Sequence, residues 1–182
     1  MSATNLEPLE NAIFTVNCLY EIQVSHSFSF YAKVALNMFS FTFEQIHNLD
    51  ELIEAQIDVL VKEQYASILK QSGLASLIQG VDINKKAGVS LATDEKTNIT
   101  AIRSAMQHLD TFLASMSSDV TLTLSRIMSA KVVKQISKRG LRRFAETYRK
   151  LYDDLMDPAH SYHGTLSLRK VSEVETLLSI ET

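Results

Sequence analysis

From Leu9 to Asp157 the chain contains no proline, and its only glycines there are Gly73, Gly80, Gly88 and Gly140. Proline interrupts a helix by losing an N–H and clashing with the preceding turn, glycine by its backbone entropy. A long run poor in both, and rich in Leu, Ile, Ala, Glu, Lys and Gln, is predicted to fold as long α-helices joined by few loops. Catalytic side chains tend to sit on loops, so such a chain points first to a scaffold or interaction module.

Its 182 residues, 46% hydrophobic and 21% charged, suffice to bury a substantial core and argue against disorder. A formal net charge of −3 argues against nucleic-acid binding by bulk electrostatics. The charge is uneven, however. Half of the 18 basic residues lie between Arg126 and Lys150 (Arg126, Lys131, Lys134, Lys138, Arg139, Arg142, Arg143, Arg149, Lys150), against Glu146 as the only acid. The stretch from Glu44 to Glu63 is acidic, and the two segments are expected to face or flank each other.

The single cysteine, Cys18, sits in an apolar, helix-like setting and is expected to be a buried, inert thiol, which fits a reducing compartment. No basic segment followed by an apolar core marks a signal peptide at the N-terminus. The most apolar stretch, Phe28–Phe43, is interrupted by Lys33 and Asn37 and is too short to span a bilayer. The chain therefore reads as soluble and exposed to cytosol.

Hydrophobic spacing predicts a first helix over Leu6–Gln23, with Leu9, Ile13, Val16 and Tyr20 inward and Pro8 in the first turn. Val24–Tyr31 alternates apolar and polar residues, and irregular structure or a frayed helical extension is expected there. Thr42–Ser72 is the strongest helical segment, its inward face being Ile46, Leu49, Ile53, Ile57, Leu60, Gln64 and Ile68. Gly73 is placed as a left-handed cap. Leu74–Gln79 is a candidate short helix, and Asp82–Thr97 reads as a long mobile loop. Asn98 or Thr97 should cap a helix through Met116 with Ile102, Met106, Leu109 and Leu113 buried. Ser117–Asp119 reads as a break, with Asp119 capping a short helix over Val120–Met128. The last long helix is predicted over Lys131–Met156, with Val133, Ile136, Gly140, Phe144, Tyr148, Leu151 and Leu155 inward, ending at Asp157-Pro158. His160–Lys170 should be extended. Ser172–Glu175 has the form of a capping box opening a short helix with Val174, Leu177 and Leu178 inward.

No catalytic signature is found: no Gly-rich phosphate loop, CxxC, HExxH or GxSxG. His160 and His163 with Asp153, Asp154 or Asp157 have metal-ligand types, but a solvated loop with incidental histidines is the favoured reading. His47 and His108 are expected at the edges of apolar stripes, making one hydrogen bond each. Asp153, Asp154 and Asp157 oppose the dipole at a helix C-terminus. Either a lysine or arginine lies nearby or the placement is incidental, and the incidental reading is favoured.

The basic cluster stands out. Lys131, Lys134, Lys138, Arg142 and Arg149 fall in one helical stripe, and Arg139, Arg143 and Lys150 in a second. Lys134, Lys138, Arg139, Arg142 and Arg143 form the candidate partner or lipid surface, toward an acidic helix or anionic headgroups. A solvated face with snorkelling stems is the plainer alternative. Phe144 and Tyr148 belong to the inward stripe and cannot stack on bases, so nucleic acid fits poorly.

Phe144-Ala-Glu-Thr-Tyr-Arg-Lys-Leu-Tyr-Asp-Asp-Leu-Met-Asp-Pro158, then Tyr162 and Val174–Ser179, resemble the carboxyl-terminal end of subunit six of the conserved oligomeric Golgi complex. Val16–Tyr20, Phe39–Thr42, Ile53–Ala55 and Leu69–Leu74 resemble the same family in the same order. No single motif is strong; their ordered co-occurrence carries the resemblance, and it covers nearly the whole chain. Family members are several times longer, so the likeness is to the carboxyl-terminal portion only. The spacing between Tyr20 and Phe39 exceeds the family's, so about 24–33 looks inserted.

The resemblance implies an all-α antiparallel helical bundle, of the rod-like stacked-bundle type of tether subunits. Residues 1–38 are expected to carry the first helix and the atypical stretch, and residues 39–182 the carboxyl-terminal bundle with its loop about 82–97. It further implies a non-catalytic peripheral protein on the cytosolic face of the Golgi membrane, supporting retrograde intra-Golgi transport. Its implied partners are other tether subunits, SNAREs, small GTPases and coiled-coil tethers, with no nucleic acid, cofactor or metal. The alternative is a stand-alone membrane-surface module using the basic face of 131–150.

Overall fold

The computed structural model describes residues 8–27, 40–88, 90–119, 124–160, 162 and 166–179. All regular elements among them are helical, which establishes the expected all-α class. In chain order they are α1 (Pro8–Ser27), α2 (Ser40–Gln71), α3 (Ala75–Ala87), α4 (Ile99–Asp119), α5 (Ala130–Met156) and α6 (Val171–Leu177), with 3-10 turns at Leu91–Thr93 and Pro158–His160. Two compact units are present: Met1–Gln64 with Leu122–Ser137, and Tyr65–Thr121 with Lys138–Thr182. Their boundaries fall within α2 and α5, not at residue 38.

The first unit is built on aliphatic residues at helical spacing. Ala12, Ile13 and Val16 of α1 pack with Ile53, Ile57, Leu60 and Val61 of α2, Leu124 and Ile127, and Val132 and Ile136 of α5. Val132 is the buried member of its pair and Val133 only half-buried, a one-residue difference from the predicted stripe. Glu54 accepts a hydrogen bond of 2.9 Å from Gln135, so the acidic and basic segments do flank each other here. Helix α1 continues to Ser27, as the extension reading of Val24–Tyr31 allowed; residues 28–39 lie outside the described ones. Cys18 is exposed, not buried. It falls two residues after Val16, about 200° around the helix, and so points away from the core.

The second unit has the larger core and holds the aromatics. Phe112, Phe144, Tyr148 and Tyr162 pack with Ile68, Leu74, Leu77, Val81, Ile102, Leu109, Leu151 and Leu155. Gly73 adopts φ +72°, and a Cβ there would lie 2.8 Å from that of His108, so the turn after α2 needs glycine on both counts. The loop predicted from Asp82 starts later, because α3 runs through Ala87. Its hydrophilic look hid a helical row, Leu77, Val81 and Asn84, all buried. Asn84 is tolerated there because its amide donates to Thr97 Oγ1 (3.2 Å), which donates to the Leu91 carbonyl (2.5 Å).

Asn98 caps α4, its side chain accepting from the Ala101 N–H at 2.9 Å. The break expected at Ser117 does not occur, since α4 reaches Asp119. No helix forms over the described part of Val120–Met128: Leu124–Arg126 is a turn. Helix α5 starts after Ser129, whose hydroxyl accepts from the Val132 N–H at 3.4 Å, and ends before Pro158 as predicted. The capping box is absent. Lys170 is the N-cap of α6 with no side-chain bond, so Ser172 lies one residue inside the helix. Val174 and Leu178 are buried, whereas Leu177 is exposed.

Candidate interaction surfaces

The basic residues of α5 are positioned by what lies opposite them. In the second unit Phe144, Ala145, Tyr148, Leu151 and Leu155 occupy the inward side, which turns Lys138, Arg142, Arg143, Arg149 and Lys150 outward. Among the described residues no ion pair engages Lys138, Arg142, Arg143 or Lys150, whereas Arg149 pairs with Glu175 of α6 at 2.5 Å. Arg139 is half-buried and has an interaction partner, so it differs from the other four predicted residues. In the first unit Lys134 and Lys131 are exposed on the opening turns of α5.

Two open hollows lie on the second unit. One, of about 480 Å³, is lined by Tyr65, Ile78, Val81, Asp82, Lys85, Thr147, Lys150, Leu151, Asp153 and Asp154. Tyr65 and Thr147 hydroxyls meet across it at 2.8 Å, and Lys85 Nζ pairs with Asp154 at 2.6 Å. That pair overturns the incidental reading of the terminal acids: α3 brings Lys85 to Asp154, and the carboxylate raises the lysine's pKa. The pair was missed because α3 was read as loop beyond Gln79. The other hollow, of about 500 Å³, is lined by Arg142, Ala145, Glu146, Arg149, Lys150, Asp153 and Glu175. Both mix charges of the two signs, so they suit contact with a polar macromolecular surface more than capture of one ion.

The tail is fastened by polar bonds. Tyr148 Oη donates to the Arg169 carbonyl and Tyr162 Oη to the Thr97 carbonyl, both at 2.6 Å. Burial raises the pKa of both phenols. Arg169 pairs with Asp110 at 2.7 Å. In the first unit Arg126 grips Glu10 with both guanidinium nitrogens, and the hydrogen bond holds the Glu10 carboxyl below its ordinary pKa. His47 lies 3.3 Å from Glu51, both well exposed, and His108 is exposed beside Gly73. His163 is outside the described residues. Among the described residues no three His, Cys, Asp or Glu side chains converge to hold a metal, and no helix is long and apolar enough to cross a membrane.

These features define a helical protein whose outer faces carry unpaired charge and shallow mixed-charge hollows. The family description "Conserved Oligomeric Golgi complex subunit 6, C-terminal" matches residues 1–178, and the chain belongs to that family. It is 29% identical over 181 residues to the conserved oligomeric Golgi complex subunit 6 of Bos taurus, covering 98% of this chain and 26% of the relative. The Caenorhabditis elegans subunit is 28% identical over 185 residues, covering 100% of this chain and 27% of the relative. The Phaeosphaeria nodorum subunit is 30% identical over 146 residues, covering 79% and 20%. The chain thus spans about a quarter of the length of these curated relatives. No solved structure matches it.

Proposed function

We propose that the chain serves as a non-catalytic part of a Golgi vesicle-tethering complex, supporting retrograde intra-Golgi transport through helix-mediated contacts with other macromolecules. The observation that carries this reading is the family match over residues 1–178, borne on an all-α fold. The basic face of α5 is its candidate contact surface: Lys138, Arg142 and Arg143 are exposed without ion pairs, so an acidic partner meets them at no cost in broken salt bridges. Arg139 contributes from the half-buried edge, and Lys134 from the first unit. Other subunits of the complex are the expected partners, followed by SNAREs, small GTPases and coiled-coil tethers, with peripheral association at the cytosolic face. Affinity purification of the tagged chain from cells tests this: recovery of other subunits of the complex is expected, and recovery of none contradicts it.

The same unpaired cations favour a second reading, a module that binds anionic membrane surfaces. The inward side of α5 is used up in the core, so such binding rests on charge alone and fades with salt. Flotation with anionic vesicles that is lost on reversing Arg142 and Arg143 selects this reading over the first.

A further inference from the structure

Helix α1 is apolar on two sides. Ala12, Ile13 and Val16 are buried in the first unit's core, yet Phe14 is 63% exposed and Ile22 is 46% exposed. Cys18 is exposed between them. Phe14, Cys18 and Ile22 follow one another at intervals of four, one per turn, and so form a single outer row. Beside that row Asn17 fixes the chain after Leu124: its amide donates to the Arg126 carbonyl at 2.9 Å and accepts from the Met128 N–H at 3.0 Å. Met128, held there by its backbone, is 68% exposed. A helix apolar on opposite sides is normally enclosed, whereas a surface helix keeps one polar side.

We propose that the outer row of α1 seats one further α-helix, supplied by the stretch of the subunit that precedes the matched segment in full-length relatives. The matched family segment is the C-terminal part of the subunit and covers 26% of the bovine relative, so the remaining length of that relative lies mostly ahead of it. Chain arriving there is tethered next to α1, and a short tether gives an effective concentration in the millimolar range. A row one residue wide fits the groove of a single crossing helix. The occupant carries an apolar row of its own, with Lys or Arg beside it to meet Glu21, which is exposed on the flank. Exposed Met128 supplies an adaptable rim.

Cys18, the chain's single cysteine, reports occupancy directly. The test compares maleimide modification of Cys18, read on its own peptide by mass spectrometry, in two proteins. One is this chain alone; the other is the whole chain fused behind the portion of the bovine relative that precedes the match. About tenfold slower labelling in the fusion is expected, for a millimolar effective concentration against a dissociation constant near a tenth of that. Phe14→Asp in the fusion should restore fast labelling with the circular dichroism unchanged. Equal rates in the two proteins overturn the inference, as does protection that survives Phe14→Asp. Slow labelling of the chain alone that speeds up on dilution identifies a second copy as the occupant and also overturns it. The inference rests on family membership and side-chain exposure, not on the tethering role, which its failure leaves standing.

Discussion

The two compact units are stabilised differently. The first has an all-aliphatic core, Ala12 to Ile136, with its polar fastenings at the surface: the Arg126–Glu10 pair and the two bonds of Asn17. The second packs Phe112 and Phe144 with ring centres 6.0 Å apart, and ties its tail through the buried phenols of Tyr148 and Tyr162. Aliphatic packing alone tolerates exchange of similar shapes, whereas buried hydrogen bonds demand one arrangement. The second unit is therefore the more uniquely specified, and the first retains apolar surface outside its core.

Substitutions test that contrast. The largest effect is expected from Phe144→Ala, which empties a fully buried aromatic site and should cost about 3–5 kcal/mol in denaturant unfolding. Leu60→Ala in the first unit, also fully buried, should cost about 2–5 kcal/mol, while Leu60→Met should cost less than about 1.5 kcal/mol. If Leu60→Met is as damaging as Leu60→Ala, the first core is not the permissive one. Thr97→Val leaves the Asn84 amide and the Leu91 carbonyl without their shared partner, and about 1–3 kcal/mol should be lost despite nearly conserved volume.

Tyr148→Phe should cost about 1 kcal/mol near neutral pH. Its diagnostic is alkaline. Burial raises the folded-state pKa of Tyr148, so its contribution is complete below the ordinary tyrosine value of about 10 and is lost as pH rises beyond it. The midpoint of Tyr148→Phe should fall less steeply than that of the natural chain above pH 10. The smallest effect belongs to Glu10→Gln. The folded Glu10 pKa is lowered, so its contribution is present above the ordinary carboxylate value and disappears as pH falls through the lowered one. The variant should flatten the acid side of the stability curve only slightly, because the pair is exposed.

Much of this architecture could be read from residue spacing. Scarce proline and glycine announced the helices, and the rows Ile53–Ile57–Leu60 and Phe144–Tyr148–Leu151–Leu155 identified their inward sides. Three features could not be read so directly. Asn84 looked like loop because its partner, Thr97, is thirteen residues away and becomes near only after folding. Ser172–Glu175 fits a capping box, but the buried Val174 and Leu178 set the helix start one residue earlier than Ser172. Cys18 looked buried because neighbours in sequence were apolar, although its angle from Val16 already pointed outward. Of the candidate surface, the exposure of Lys138, Arg142 and Arg143 followed from the inward stripe, whereas the half-buried setting of Arg139 and the Lys85–Asp154 pair needed tertiary structure.

The most direct test of the claim that these helices act by gripping other macromolecules is lysine-directed cross-linking of the assembly purified with the full chain. Lys134 and Lys138 should link to a different polypeptide of the complex, and the links should diminish as salt is raised. Cross-links from these lysines that stay wholly within the chain, in an assembly whose other subunits cross-link to one another, would contradict the account.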